Sequence, residues 1–202
     1  KIDSDGQMKP QFIPNIIKPI LDGRSCVSKG NRFTTVEDIS SMPKVRLLGN
    51  LALGYITKLS TGYWELFDPT NGFLAFTTEA LRNISLRKVD NRYLFETELL
   101  FRFSLRNVYI IEVPMKAIYS NEVSSLNPLM SIPIFLLKHL QLFIKRIVYQ
   151  YLLLDLNPGS IELILGIITL LITLAIGFYS LLKGYFFSER VLPGTISLFV
   201  IF

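Results

Sequence analysis

Two aspartates one residue apart, with a glutamine two positions further on, stand in the run DSDGQM at residues 3–8. Asp3, Asp5 and Gln7 would offer two carboxylates and an amide oxygen. That is a hard, oxygen-only donor set of the kind that holds Mg²⁺ or Mn²⁺ while a diphosphate fills other positions. A bare D-x-D pattern is weak, since a chain of this size contains one about half the time at average usage. Its setting is stronger. The preceding KID reads as the end of a buried strand and a Pro-opened helix follows, so the motif lies outside the carboxyl end of a strand, where open α/β sheets place their ligand sites. Two further carboxylates, Glu96 and Glu98 in FETELL, stand two apart on an expected helix, which turns them about 200° from each other, so only one can face a given site.

The elements that must position these groups follow from periodicity. Phe12, Ile13, Ile16, Ile17, Ile20 and Leu21 recur at helical spacing, Pro14 and Pro19 fall at a first turn or a kink, and Gly23 is placed to stop the helix. Residues 25–29 form a short strand candidate. Apolar residues at three and four over 46–59, with Gly62 beyond, predict a second helix. Residues 72–77 read as a strand, 93–105 as an amphipathic helix and 109–113 as a strand rich in β-branched residues. Strands alternating with helices imply an α/β domain.

Half of the 202 residues are hydrophobic and the mean hydropathy is +0.41, yet 18% are charged, so the apolar excess is concentrated rather than spread. It lies after residue 128, with the polar, Pro-terminated stretch 121–128 as the expected linker. Residues 129–156 are apolar but carry Lys138, His139, Lys145 and Arg146, which is how a helix lying in a membrane interface reads. Residues 163–182 are twenty in a row without a charge, long enough to cross about 30 Å of hydrocarbon at roughly 1.5 Å per residue. A second apolar run begins near residue 191. The expected organisation is therefore 1–128 globular, 129–160 interfacial and 161–202 transmembrane. The net charge of +5 comes without a dense basic cluster interleaved with aromatics, which argues for an anionic membrane surface and against nucleic acid. Basic residues beside the globular part favour its placement on the cytoplasmic face. Cys26, the single cysteine, permits no intrachain disulfide and reads as a small buried side chain.

DSDGQM, then KGNRF at 29–33, FDPTNGF at 67–73, FETELL at 95–100 and EVP at 112–114 together resemble, in order, the blocks of family 2 glycosyltransferases of the polyprenyl-phosphate, dolichol-phosphate mannose synthase-like type. The resemblance implies the C-terminal part of a GT-A-type, Rossmann-like catalytic domain with a membrane anchor. It implies an inverting, metal-dependent transfer of a sugar from a nucleotide sugar to a polyprenyl phosphate. It makes Asp3, Asp5 and Gln7 the metal ligands and gives Arg32 a phosphate contact, through a planar guanidinium that can bind two oxygens at once. It places Asp68, Asn71 and Gly72 near the acceptor, and Glu96 and Glu98 close to the reaction.

Plainer readings stand beside these. Arg32 would be a surface arginine at a strand end, Asp68 an Asx-type turn former before Pro69, and either glutamate a solvated group. The chain departs from the family where Leu74, not arginine, follows Phe73, and where Ser124, Ser125 and Leu126 lack the family's lysine. The upstream, base-binding half is not in the chain, so this portion alone is expected to be inactive. A transferase acting on another membrane lipid or glycan, or a non-catalytic membrane binding protein, are the alternatives, and a homo-oligomer is left open.

Overall fold

The computed structural model describes residues 1–3, 8–35, 39, 42, 44–90, 94–116, 128–154 and 156–187. Asp5 and Gln7, most of the expected linker and the whole of the second apolar run lie outside the described residues. The chain divides into two units, Lys1–Ile147 and Val148–Phe202.

The first unit is a mixed α/β layer structure. Three strands, β1 (Val27–Asn31), β2 (Leu74–Phe76) and β3 (Ile110–Pro114), form one sheet in the order β2-β1-β3. β1 runs parallel to β3 and antiparallel to β2, with Lys29 in register with both Glu112 and Leu74. The carboxyl ends of β1 and β3 and the amino end of β2 therefore share one edge. Lys1 adds a further contact on the far side of β2, exchanging two backbone hydrogen bonds with Leu74 at 2.7 and 3.1 Å. The KID segment thus lies beside a strand, but Lys1 and Ile2 are exposed, contrary to the expected burial.

α1 (Ile13–Leu21) covers one face of the sheet. Pro14 occupies its first turn, where a missing N–H goes unnoticed, and Pro19 sits buried inside it. Ile16, Met8, Phe73 and Met115 pack together on this side. The Ser28 hydroxyl, on the same face of β1, donates to the Ile16 carbonyl. On the other face Val27, Leu74 and Ile110 meet Leu99, Leu100 and Phe103 of α4 (Phe95–Ser104), each contributing roughly 1.5–3 kcal/mol when fully removed from water. α4 was expected to be amphipathic, but Thr97, Leu99, Leu100, Phe101, Phe103 and Ser104 are all buried, because it lies between the sheet and two further helices. Of these, α2 (Lys44–Thr61) was expected and α5 (Pro128–Ile147) was read as interfacial. The short α3 (Thr78–Arg82), capped by Thr77, whose hydroxyl accepts from Ala80 N at 3.1 Å, was not foreseen. Gly23 and Gly62, at φ 67° and 86°, end α1 and α2 as their positions predict. Cys26, read as a buried strand residue, instead precedes β1 and is exposed.

α5 docks onto α2 through polar groups. His139 Nδ1 lies 2.9 Å from Ser60 Oγ and Arg146 Nε donates to the Leu59 carbonyl at 3.1 Å, while outside α2 Lys138 pairs with Asp90. Arg146 was expected to sit at a membrane interface; it is buried, with its guanidinium turned to the protein. Burial without a compensating charge lowers the His139 pKa to about 4, so the ring is neutral at ordinary pH.

The second unit holds a π-helical stretch, Val148–Leu154, and α6 (Pro158–Phe187). Asn157 and Ser160 cap α6 reciprocally: Asn157 N donates to Ser160 Oγ at 3.0 Å and Ser160 N to Asn157 Oδ1 at 3.3 Å. Pro158–Ser180 is long and apolar enough to cross a membrane and almost none of it is buried. Within it Thr169 and Thr173 turn their hydroxyls back onto the carbonyls of Leu165 and Thr169, each at 2.8 Å, so these two donors do not need water.

Candidate functional site

The shared sheet edge gathers residues from four distant parts of the chain. Arg32 follows β1 and Asp68 precedes β2, and their side chains meet in a two-point ion pair: Nε to Oδ2 at 2.7 Å and Nη2 to Oδ1 at 2.8 Å. The Arg32 backbone N–H also donates to Asp68 Oδ2 at 3.1 Å, and Nη2 reaches Thr70 Oγ1 at 3.2 Å. Asp68 is fully buried, whereas the Arg32 side chain retains 13% exposure. The carboxylate acts as an internal anchor and the guanidinium as the group that still meets solvent.

Glu112 on β3 fixes this loop from below. Its Oε1 accepts from Asp68 N at 2.8 Å, and its Oε2 from Phe67 N at 3.0 Å and Asn31 Nδ2 at 2.9 Å. Burial raises the Glu112 pKa, and the two backbone hydrogen bonds oppose the rise. Asn71 is fully buried and ties the same loop to β1, donating from Nδ2 to the Gly30 carbonyl at 2.8 Å and accepting at Oδ1 from Phe73 N at 3.1 Å. The carbonyl of Asn71 in turn receives Lys29 Nζ. Lys29 is fully buried among Asp68, Glu96, Arg32 and Glu112, and burial lowers its pKa to about 8.

A second cluster surrounds Asp3. Its Oδ1 lies 2.6 Å from Lys1 Nζ, which also pairs with Glu96 and reaches the Gly72 carbonyl at 3.5 Å. A Cβ on Gly72 would overlap Asp3 Oδ2 and come within 3.0 Å of Lys1 Nζ, so any larger residue there would push the Asp3 and Lys1 side chains aside. One ammonium thus already bridges the carboxylates of Asp3 and Glu96. This is a point at which a cation is held by oxygens, and the donor chemistry fits a hard divalent ion. Among the described residues no three His, Cys, Asp or Glu side chains converge on one such point. If Asp3 serves as the metal ligand that the motif leads one to expect, Gly72→Ala is expected to displace its carboxylate and weaken Mn²⁺ binding by roughly 10–100-fold, as read by the loss of free Mn²⁺ signal in an electron paramagnetic resonance titration.

The structure therefore brings Asp3, Glu96 and Gly72 together, and Arg32, Asp68 and Asn71 beside them. Glu98 turns away, with Arg102 Nη2 donating to it at 3.0 Å along the same helix. That divergence of the two glutamates is the one their spacing predicts. Sequence reasoning missed Lys29, Asn31 and Glu112. No local sequence signal marks them, because the burial of all five β1 residues, which obliges a charge there to find partners, is set by the fold.

Comparison with known proteins adds a direction. No family model matches the chain. It is similar to the UDP-N-acetylglucosamine–dolichyl-phosphate N-acetylglucosaminyltransferase of Methanococcus voltae, at 34% identity over 118 residues, 58% of this chain and 47% of that protein. It is also similar, at 31% identity over 118 residues, to an uncharacterized protein of Methanocaldococcus jannaschii, covering 58% of this chain and 48% of the relative. The chain spans about half the length of these relatives. The sugar in the first relative's name is N-acetylglucosamine, not the mannose that the motif resemblance evokes.

Proposed function

We propose that the chain is the membrane-anchored part of a glycosyltransferase that moves a sugar from a nucleotide sugar to a polyprenyl phosphate. The similarity to the dolichyl-phosphate N-acetylglucosaminyltransferase carries the reading, and it favours UDP-N-acetylglucosamine over a mannose donor. The fold is then a partial GT-A domain over 1–128, an interfacial segment over 129–160 and a membrane region beyond, with the catalytic part on the cytoplasmic side. In the reaction a phosphate oxygen of the acceptor attacks the anomeric carbon, the nucleoside diphosphate leaves with the electrons of the broken C–O bond, and the configuration inverts. That nucleophile is ionised at neutral pH, so positioning and charge stabilisation matter more than a strong general base.

Arg32 is the residue that would meet a phosphate, because Asp68 and Thr70 fix its guanidinium while part of it stays exposed. Asp68 serves by holding Arg32, both of its oxygens being engaged. Asp3, Asp5 and Gln7 would hold Mg²⁺ or Mn²⁺, with Glu96 facing Asp3. When bound, the ion would neutralise charge on the leaving diphosphate.

The test uses membranes containing the full-length protein, offered radiolabelled UDP-N-acetylglucosamine and dolichyl or undecaprenyl phosphate with Mg²⁺ or Mn²⁺. Labelled lipid is expected, and Asp5→Ala is expected to lower its formation by at least about 100-fold. Absence of labelled lipid with any common sugar nucleotide, together with indifference to Asp5→Ala, would overturn the reading.

A further inference from the structure

We propose that Lys29 is a positioning residue for the transfer, its ammonium holding the Asn71–Gly72 turn so that Arg32 and Asp3 keep a fixed separation. This role rests on the proposed function and adds to it a buried residue that acts through its neighbours. Lys29 is fully buried at the centre of β1, in register with Leu74 on one side and Glu112 on the other. Strand alternation turns it to the side of Val27, which packs on α4. Four charged groups face it there: Arg32 after β1, Asp68 before β2, Glu112 on β3 and Glu96 in the first turn of α4.

A lysine ammonium inside a protein is costly. Burial penalises the charge and lowers its pKa to about 8, whereas a methionine of similar volume would fill the same space with no charge to desolvate. What the charge holds is the main-chain carbonyl of Asn71, which accepts from Nζ. The Asn71 side chain is held separately, by the Gly30 carbonyl at 2.8 Å and the Phe73 N–H at 3.1 Å. Those bonds fix the turn to β1, and the ammonium fixes the plane of the peptide that joins Asn71 to Gly72.

That peptide sits between the two halves of the site. On the Asp68 side of the turn, the carboxylate anchors the Arg32 guanidinium at 2.7 and 2.8 Å. On the other side Gly72 abuts Asp3, and the Gly72 carbonyl reaches Lys1 Nζ at 3.5 Å. Lys1 in turn pairs with Asp3 and Glu96. Two successive carbonyls are therefore each met by an ammonium, and Glu96 faces both cations. In the proposed transfer Arg32 meets a phosphate and Asp3 lies on the side of the leaving diphosphate, so a tilt of this peptide would alter the distance across which the reacting groups are aligned. A misplacement of about 1 Å costs roughly 100-fold in rate. A neutral amine would keep only a weaker hydrogen bond and would lose its attraction to the surrounding carboxylates.

The test uses membranes containing the full-length protein, with radiolabelled UDP-N-acetylglucosamine, dolichyl phosphate and Mn²⁺. Lys29→Met is expected to lower kcat roughly 10–100-fold, while KM for donor and acceptor stays within about three-fold of the native values. Its thermal midpoint in detergent at about pH 7 is expected to match or exceed the native one, because no buried ammonium remains. In the native protein kcat/KM is expected to fall as pH rises through about 8, where the ammonium loses its proton. That limb is expected to be missing in Lys29→Met. The native profile needs no variant, so it decides the matter even where Lys29→Met fails to fold. An unchanged kcat in Lys29→Met, a loss confined to KM, or a native profile that stays flat to about pH 9.5 each overturns the proposal. Native membranes that form no labelled lipid would refute the transfer reading and this role together, whereas native transfer that ignores Lys29 refutes the role alone.

Discussion

Asp68→Ala is expected to destabilise the Lys1–Ile147 unit by about 3–5 kcal/mol, seen as a lowered midpoint of thermal unfolding in detergent. The substitution leaves the Arg32 guanidinium largely buried without its two-point partner, and it removes the acceptor of the Arg32 backbone N–H. The cost of breaking a buried pair exceeds the net worth of the pair, because an uncompensated charge is left behind. Removing both partners in Arg32→Met with Asp68→Leu is therefore expected to restore much of the midpoint, since neither charge then needs water. On the proposed function, sugar transfer by the full-length protein is expected to stay absent in that double variant, because the guanidinium proposed to meet the phosphate is gone. Recovery of stability without recovery of activity separates the structural part of the pair from its chemical part. A loss under about 1 kcal/mol for Asp68→Ala would show an ion pair that behaves as a surface one.

Lys29 predicts an unusual alkaline profile. Its pKa is about 8 in the folded chain against 10.5 for the free side chain, because burial penalises the ammonium. Below pH 8 both states are protonated and the folded state bears the full penalty. Between pH 8 and 10.5 the unfolded state holds the extra proton, so stability rises with pH by an amount on the order of 3 kcal/mol. The opposing influence enters above pH 10. Tyr63, whose hydroxyl donates to the Val108 carbonyl at 2.6 Å, has its pKa raised by burial, and stability falls once the unfolded phenol ionises. The window in which Lys29 dominates is therefore about pH 8 to 10. Thermal midpoints followed by Trp64 fluorescence should climb across that window in the native sequence and stay flat in Lys29→Met. A fall across the window in the native sequence would mean that Lys29 is stabilised, not penalised, by its surrounding carboxylates.

Much of the local structure was readable because it depends on neighbours in sequence. The spacing of Ile13, Ile16, Ile17 and Ile20 with Gly23 beyond gave α1 to within a residue, and the uncharged run at 163–182 lies within α6. The boundaries of β1 moved two residues, from 25–29 to Val27–Asn31. VSKGN has little intrinsic strand preference and is held as a strand by partners on both sides. The divergence of Glu96 and Glu98 followed from helix geometry alone, but which of them would face Asp3 did not, because it depends on how α4 is rotated by Leu99, Leu100 and Phe103. Lys29 and Glu112 were invisible for the same reason. Their meaning comes from a register between strands some eighty residues apart, and no local pattern encodes it. Cys26 shows the converse error, in which a residue type with a strong burial tendency stands just outside the strand that would have buried it.

The three-point grip of Glu112 on Asn31, Phe67 and Asp68 also sets an order of assembly. The loop carrying Asp68 and the strand carrying Asn31 are made first, but the carboxylate that joins them arrives only with β3. Contacts of such long sequence separation are slow to form because the intervening chain must be closed first. During synthesis Arg32 consequently has its anchor fully fixed only after β3 emerges, and α6 follows it out of the ribosome. The helix long and apolar enough to cross a membrane is thus made by a chain that already holds the three described strands of its sheet.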